Sequence, residues 1–172
     1  GERFISLKTA KAGKRCIKKK YKVKIVDPVD NFILKIKRFK PNVIFNALHG
    51  RFGEDGYIQS ILETLRVKYT HSGVKSSMLA MDKEISKKIF LKNKILTPKF
   101  IKVKNSINDL NYNKIKKYLS YPVVIKPINE GSSLDVFICD NKLSLSKKLK
   151  KLSHYRELII EKFIPGREIQ VA

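Results

Sequence analysis

Apolar and polar positions along this chain switch repeatedly between a helical and an extended period. Residues 4–19 follow a helical spacing weakened by Gly13, and residues 21–26 an extended one that stops at Asp27-Pro28. Residues 32–38 read as a short amphipathic helix, 43–45 as a buried strand, 56–66 as a helix and 68–70 as a short strand. This alternation predicts a parallel sheet with helical crossovers. The opening helix has no strand before it, so a first strand is expected to be missing. A second region opens at Ser72-Gly73. Residues 76–92 are expected to form one helix, with Met78, Leu79, Ile85, Ile89 and Phe90 along its apolar stripe, before Thr97-Pro98 stops helical geometry. Strands are then expected at 99–103, 123–126, 136–139 and 158–163, and helices at 108–119 and 143–152. A loop over 129–135 and a turn at Pro165-Gly166 interrupt them.

Three stretches carry chemistry. The turn after 43–45 reads Ala47-Leu48-His49-Gly50-Arg51-Phe52-Gly53-Glu54-Asp55-Gly56. A strand running through such a turn into a helix places its polar groups at the C-terminal edge of a parallel sheet, where open α/β folds bind ligands. Taken alone, the run reads equally as a polar surface loop. In the second stretch, Lys126 ends an apolar strand beside Asn129-Glu130-Gly131-Ser132-Ser133, and Lys83 follows Met81-Asp82. A Gly/Ser turn aims backbone N–H groups and hydroxyls at phosphate oxygens. Lysine supplies the point charge a polyphosphate needs. Each lysine alone reads as snorkelling at an element end. In the third, Leu158 to Glu168, Glu161 and Lys162 offer hydrogen bonds to an adenine edge. Phe163 and Ile164 offer a surface for its ring, and Glu168 a carboxylate for ribose hydroxyls. The alternative there is an edge strand with a solvated ion pair.

Composition narrows the choice. The 172 residues suffice for one large domain or two small ones. The net charge of +23, from 38 Lys+Arg against 15 Asp+Glu, raises a nucleic-acid reading. The distribution argues against it. The excess is lysine, with Arg only at 3, 15, 38, 51, 66, 156 and 167. The lysines are spread through every segment. Ile and Asn are frequent while Gly and Ala are sparse, as in an A/T-biased coding sequence. A solvated lysine surface with no nucleic-acid partner is expected. No run of about 18 apolar residues predicts a membrane span, and the start carries no signal-peptide pattern. Cys16 and Cys139 are far apart and lack metal-type spacing, which fits a reducing, cytoplasmic setting. The chain opens on Gly1 and closes on a strand-like run only just begun, so a piece of a longer protein is expected.

Together these stretches resemble the D-alanine:D-alanine ligases of the ATP-grasp superfamily. The resemblance rests on Gly1-Glu2-Arg3-Phe4-Ile5-Ser6-Leu7, the run Phe45 to Gly56, Tyr69-Thr70-His71-Ser72-Gly73-Val74, Ala80-Met81-Asp82-Lys83, Val124-Ile125-Lys126-Pro127, Glu130-Gly131-Ser132-Ser133 and the run Ile160 to Glu168. It implies an α/β fold: a Rossmann-like, pre-ATP-grasp N-terminal domain over residues 1–71, then the α+β central ATP-grasp subdomain over 72–172. The C-terminal ATP-grasp domain is expected to be absent. It further implies that ATP phosphorylates the carboxylate of one D-alanine and that the amine of a second attacks the acyl phosphate, giving D-alanyl-D-alanine for peptidoglycan. Glu2 would hold the first substrate's ammonium group, and His49 would orient that substrate. Ser132 would bond to Glu2 and close the loop. Lys83, Lys126, Glu130, Gly131, Ser132 and Ser133 would surround the ATP phosphates. Glu161, Lys162, Phe163 and Ile164 would read adenine, and Glu168 ribose. The Mg²⁺ ligands are expected outside this segment, so the segment alone is expected to be inactive. A homodimer is implied. Another carboxylate:amine ligase, such as a D-alanine:D-lactate enzyme, and a non-catalytic remnant remain open.

Two positions depart from the family pattern. Phe4 replaces a common Glu, and Asp135 stands where Gly is usual. If Asp135 faced the phosphates, like charges near 4 Å would cost on the order of 4 kcal/mol at an effective dielectric of about 20, before screening.

Overall fold

A computed structural model describes residues 2–104, 110–131 and 133–169 of the chain. The chain divides into two compact units, Gly1–Met81 and Asp82–Ala172. The boundary expected from the sequence lies ten residues earlier, before the helix that ends the first unit.

The first unit contains α1 (Arg3–Ile17), α2 (Phe32–Phe39), α3 (Tyr57–Thr64) and α4 (Val74–Met81). Its core joins Ile36 of α2 to Ile58 and Leu62 of α3, with Phe32, Ile44, Leu48 and Tyr69 packed around them. Ile58 and Leu62 are four residues apart and share one helix face. Gly56 starts α3 with φ +89°, and a Cβ there would press to 2.9 Å from the Val74 carbonyl oxygen. Glycine therefore satisfies both the backbone angle and the close approach of α4. Among the described residues the expected parallel sheet is represented by one parallel bridge, Ile44 with Tyr69. Ile44 N–H donates to Lys68 O at 2.8 Å, and Thr70 N–H donates to Ile44 O at 2.9 Å. Val43 and Phe45, either side of Ile44, are exposed, so this segment gives the core one side chain. Residues 21–26 form no strand ladder among the described residues.

In the second unit, one antiparallel sheet runs in the order β1 (Phe100–Lys104), β4 (Glu157–Lys162), β2 (Val123–Pro127), β3 (Phe137–Cys139). Ile125 pairs with Ile160 and Pro127 with Leu158. On that face Ile125, Leu158 and Ile160 meet Ile115 and Leu119 of α6 (Tyr112–Leu119) and Leu145 and Leu149 of α7 (Lys142–Lys151). The two-residue period of a strand sends Val124, Lys126, Ile159 and Glu161 to the opposite face. That face carries the polar groups described below.

The single helix expected over 76–92 is two helices. Asp82 leaves helical geometry (φ −84°, ψ 107°), and its carboxylate accepts the Ile85 N–H, so it caps α5 (Lys83–Lys92). The expected strand start at the C-terminal end falls partly on residues 170–172, outside the described residues, and residues 163–169 form no strand.

Candidate functional site

In the first unit the groups gather around the start of α1 and the turn that begins at Leu48. Ser6 Oγ donates to Glu2 O at 3.1 Å and accepts the His49 N–H at 3.0 Å. His49 Nε2 lies 2.9 Å from Thr9 Oγ1, and its Nδ1 lies 3.8 Å from Glu54 Oε1. Gly50 N–H donates to Glu54 Oε2 at 2.8 Å. Asn46 supports the turn from below: its Nδ2 donates to Gly53 O at 2.8 Å and its Oδ1 accepts the Leu48 N–H. Gly50 has φ +68°, and a Cβ there would overlap Glu2 Oε2. Glu2 Oε2 is itself buried and without a hydrogen-bond partner among the described residues. A buried carboxylate oxygen with an open lone pair is strained until a donor reaches it. Glu2 and His49, both singled out from the sequence, are thus brought to one cluster.

In the second unit Glu161 is the centre. Its Oε1 lies 3.0 Å from Lys87 Nζ and its Oε2 lies 2.7 Å from Lys126 Nζ. The Lys87 and Glu161 side chains are only 7% and 8% exposed, whereas Lys126 is 22% exposed. Lys87 Nζ also donates to Thr97 Oγ1 at 2.7 Å. Lys83 Nζ donates to Ile128 O at 3.0 Å and to Glu130 O. Burial pushes the Lys83 ammonium below the usual lysine range, and the Lys126 charge adds to that, against the pull of Glu130, Glu161 and Asp82. Burial also lowers Lys87, while the Glu161 hydrogen bond and charge oppose the shift. Lys87 and Lys126 therefore share one buried carboxylate, and Lys83, which also feels Glu130 and Asp82, joins them at the edge of the Gly/Ser turn.

Other expected residues are placed as follows. Glu161 gives one carboxylate oxygen to each of two lysines. Lys162 N–H is spent on Lys99 O and Phe163 N–H on Pro122 O. Lys162, Ile164 and Glu168 are exposed and Phe163 is half-buried. Gly131 O accepts the Leu134 N–H at 2.9 Å, and Ser133 has φ +57°. Ser132 lies outside the described residues. Lys87 was not singled out from the sequence. Its signal was a lysine four residues after Lys83, on the same face of α5.

Asp135, the departure from the family pattern in this loop, has its carboxylate on Tyr155. It takes φ +53°, a left-handed conformation suited to the family's usual Gly and tolerated by Asp. Its Oδ2 accepts the Tyr155 hydroxyl at 2.8 Å, and His154 Nε2 lies 4.0 Å away. Burial, followed by the Asp135 hydrogen bond and charge, pushes the Tyr155 hydroxyl up to about 12. A pKa raised in the folded state contributes stability that is complete below the ordinary value of 10.0 and lost as pH rises through about 12. NMR titration of tyrosine labelled at Cζ should show Tyr155 ionising near pH 12, and Asp135→Asn should bring that midpoint down. An unchanged midpoint in the variant would contradict the contact.

The mixed α/β architecture of the two units is that of the pre-ATP-grasp and ATP-grasp class of fold. The chain belongs to the D-alanine–D-alanine ligase family: the D-ala D-ala ligase N-terminus model matches residues 22–72, and the D-ala D-ala ligase C-terminus model matches residues 89–172. It is 63% identical to the D-alanine–D-alanine ligase of Pelagibacter ubique over 99% of this chain and 57% of that protein. It is 42% identical to that of Wolbachia pipientis wMel over 99% of this chain and 54% of that protein. The chain spans about half the length of the curated relatives it matches. The crystal structure of D-alanine–D-alanine ligase from Bacillus anthracis has a TM-score of 0.83 at 36% identity, over 96% of this chain and 55% of that one. The same enzyme complexed with ATP has a TM-score of 0.81 at 34% identity, over 96% of this chain and 56% of that one. Among the described residues no helix is long and apolar enough to cross a membrane.

Proposed function

We propose that this chain supplies the first-substrate and nucleotide-binding part of an ATP-dependent ligase that joins two D-alanines through a D-alanyl phosphate. The observation that carries the reading is the convergence of Lys83, Lys87 and Lys126 beside the Gly/Ser turn, with Lys87 and Lys126 on the buried Glu161 carboxylate and Lys83 on the Ile128 and Glu130 carbonyl oxygens. A polyphosphate is the ligand chemistry that such a lysine cluster beside a Gly/Ser turn fits. In the first unit the unpartnered Glu2 Oε2 fits the ammonium group of an amino acid, and His49 is held beside it by Thr9 and Ser6. Among the described residues no three His, Cys, Asp or Glu side chains converge as metal ligands. This chain's own groups act by holding phosphate and ammonium charge, and Mg²⁺ would supply further neutralisation on the phosphates. The match of both ligase family models favours this reading over a non-catalytic remnant. The function is cytoplasmic in this reading, the acceptor is a second D-alanine, and the whole enzyme is a homodimer.

Titration with a non-hydrolysable ATP analogue tests the nucleotide half of the proposal. Lys126→Ala should weaken binding on the order of tenfold to a hundredfold, the range of a lost charge-assisted contact. An affinity equal to wild type would remove Lys126 from the phosphate site.

A further inference from the structure

We propose that Lys87 is a positioning residue, a fixed counter-ion of Glu161 that leaves Lys126 the releasable partner of the same carboxylate. The inference rests on the nucleotide reading only for the anion that Lys126 would meet.

The three side chains are not equivalent. Lys87 Nζ is enclosed: Glu161 Oε1 lies at 3.0 Å, Thr97 Oγ1 at 2.7 Å, and the Phe100 ring centroid at 5.3 Å. Thr97 accepts one of its protons and the ring face takes another side of the charge. Lys87 therefore has its partners in place and only 7% of its side chain exposed. Lys126 is bound through Glu161 Oε2 at 2.7 Å, and its side chain is three times more exposed, at 22%. It stands two residues before Ile128, whose carbonyl oxygen accepts from Lys83, and next to the turn that begins at Asn129. The charged groups facing Glu161 are Lys87 and Lys83 from α5 and Lys126 from β2.

The consequence is electrostatic. A buried carboxylate with one lysine partner holds it tightly, because release would strand the charge. With Lys87 permanently on one oxygen, Glu161 stays neutralised when Lys126 departs. Lys126 can then pass to an anion at small cost. Without Lys87, Glu161 would keep Lys126 for itself. Lys87 thus acts on the phosphate site through two other side chains and touches no ligand.

The test is residue-resolved acetylation by a small activated ester, read by mass spectrometry, on the wild type, K87R, K87M and K87M/E161Q, with and without inorganic triphosphate. In the wild type Lys126 should react and Lys87 should stay protected. Triphosphate should slow Lys126. In K87M the Lys126 rate should fall about tenfold, as expected of an amine held by a sole buried carboxylate. K87M/E161Q should restore it, since the holding charge is gone, and K87R should match the wild type. If K87M does not fold, a K87R rate different from wild type in a folded protein would count against the proposal. An unchanged Lys126 rate in folded K87M, or Lys87 reacting as fast as Lys126 in the wild type, would overturn it. If triphosphate leaves wild-type Lys126 unprotected while the variant pattern holds, the phosphate reading fails and the counter-ion assignment stands. A purely structural Lys87 would lower the unfolding midpoint without changing Lys126 reactivity.

Discussion

Glu161→Ala should destabilise the second unit by about 3 to 5 kcal/mol, the usual cost of removing one partner from a buried ion pair. The physical cause is the lysine left behind more than the lost attraction. Lys87 is 7% exposed and has Thr97 as its other polar contact, so its ammonium would be buried with no counter-charge. Lys126 reaches solvent more easily and contributes less to the penalty. The effect should depend on pH in a defined direction. Burial already lowers Lys87, and Glu161 is the group that opposes this shift. Without it the folded state releases the Lys87 proton at lower pH, while the unfolded chain holds its proton up to the ordinary value of 10.5. The cost is therefore complete below the folded-state value and shrinks as pH rises toward 10.5. Urea unfolding of wild type and variant at pH 7 and pH 9.5 measures both statements. A gap that widens with pH would contradict the assignment of the penalty to Lys87.

Gly50→Ala should cost about 1 to 2 kcal/mol of stability and a larger share of substrate binding. Alanine at φ +68° carries a left-handed strain of about 1 to 2 kcal/mol. The new methyl group would also overlap Glu2 Oε2, and Glu2 Cδ lies 3.1 Å from it. A side-chain end yields more readily than backbone, so the carboxylate moves and the turn survives. Glu2 Oε2 is the atom proposed to receive the substrate ammonium. A displacement near 1 Å in a positioning group costs on the order of a hundredfold. In an enzyme of the relatives' full length carrying this chain, KM for D-alanine should rise by about that factor, with the unfolding midpoint lower by only a few degrees. An unaltered KM would separate Gly50 and Glu2 from the substrate.

Much of the second unit was legible because its strands are short apolar runs with clear limits. Val123 to Lys126 and Leu158 to Phe163 differ from the observed β2 and β4 by one residue at an end or by a shift of one. The break at Asp82 was hidden by the apolar stripe, in which Met78 and Leu79 continue smoothly into Ile85 and Ile89. Its sign was the cap residue itself, an Asp three positions before the Ile85 N–H that it accepts. In the first unit alternation along 43–45 was visible, while the described residues form one parallel bridge, because ladder formation depends on partners distant in sequence. For the same reason the Tyr155 hydroxyl on Asp135, 20 residues away, left no local pattern. The site was legible as motifs and not as a circuit. Lys83, Lys126 and Glu161 were each marked by a neighbouring Gly/Ser or apolar run. Lys87, which ties Glu161 down, sits in a lysine-rich helix where charge carries little information.

The central claim is ligation of D-alanine at the expense of ATP. The most direct measurement is phosphate release from ATP and Mg²⁺ by the enzyme of full family length that carries this chain, with D-alanine, with L-alanine and with no amino acid. Release that requires D-alanine, accompanied by D-alanyl-D-alanine, is the predicted result. Folded enzyme that binds ATP and releases no phosphate with D-alanine would contradict the account.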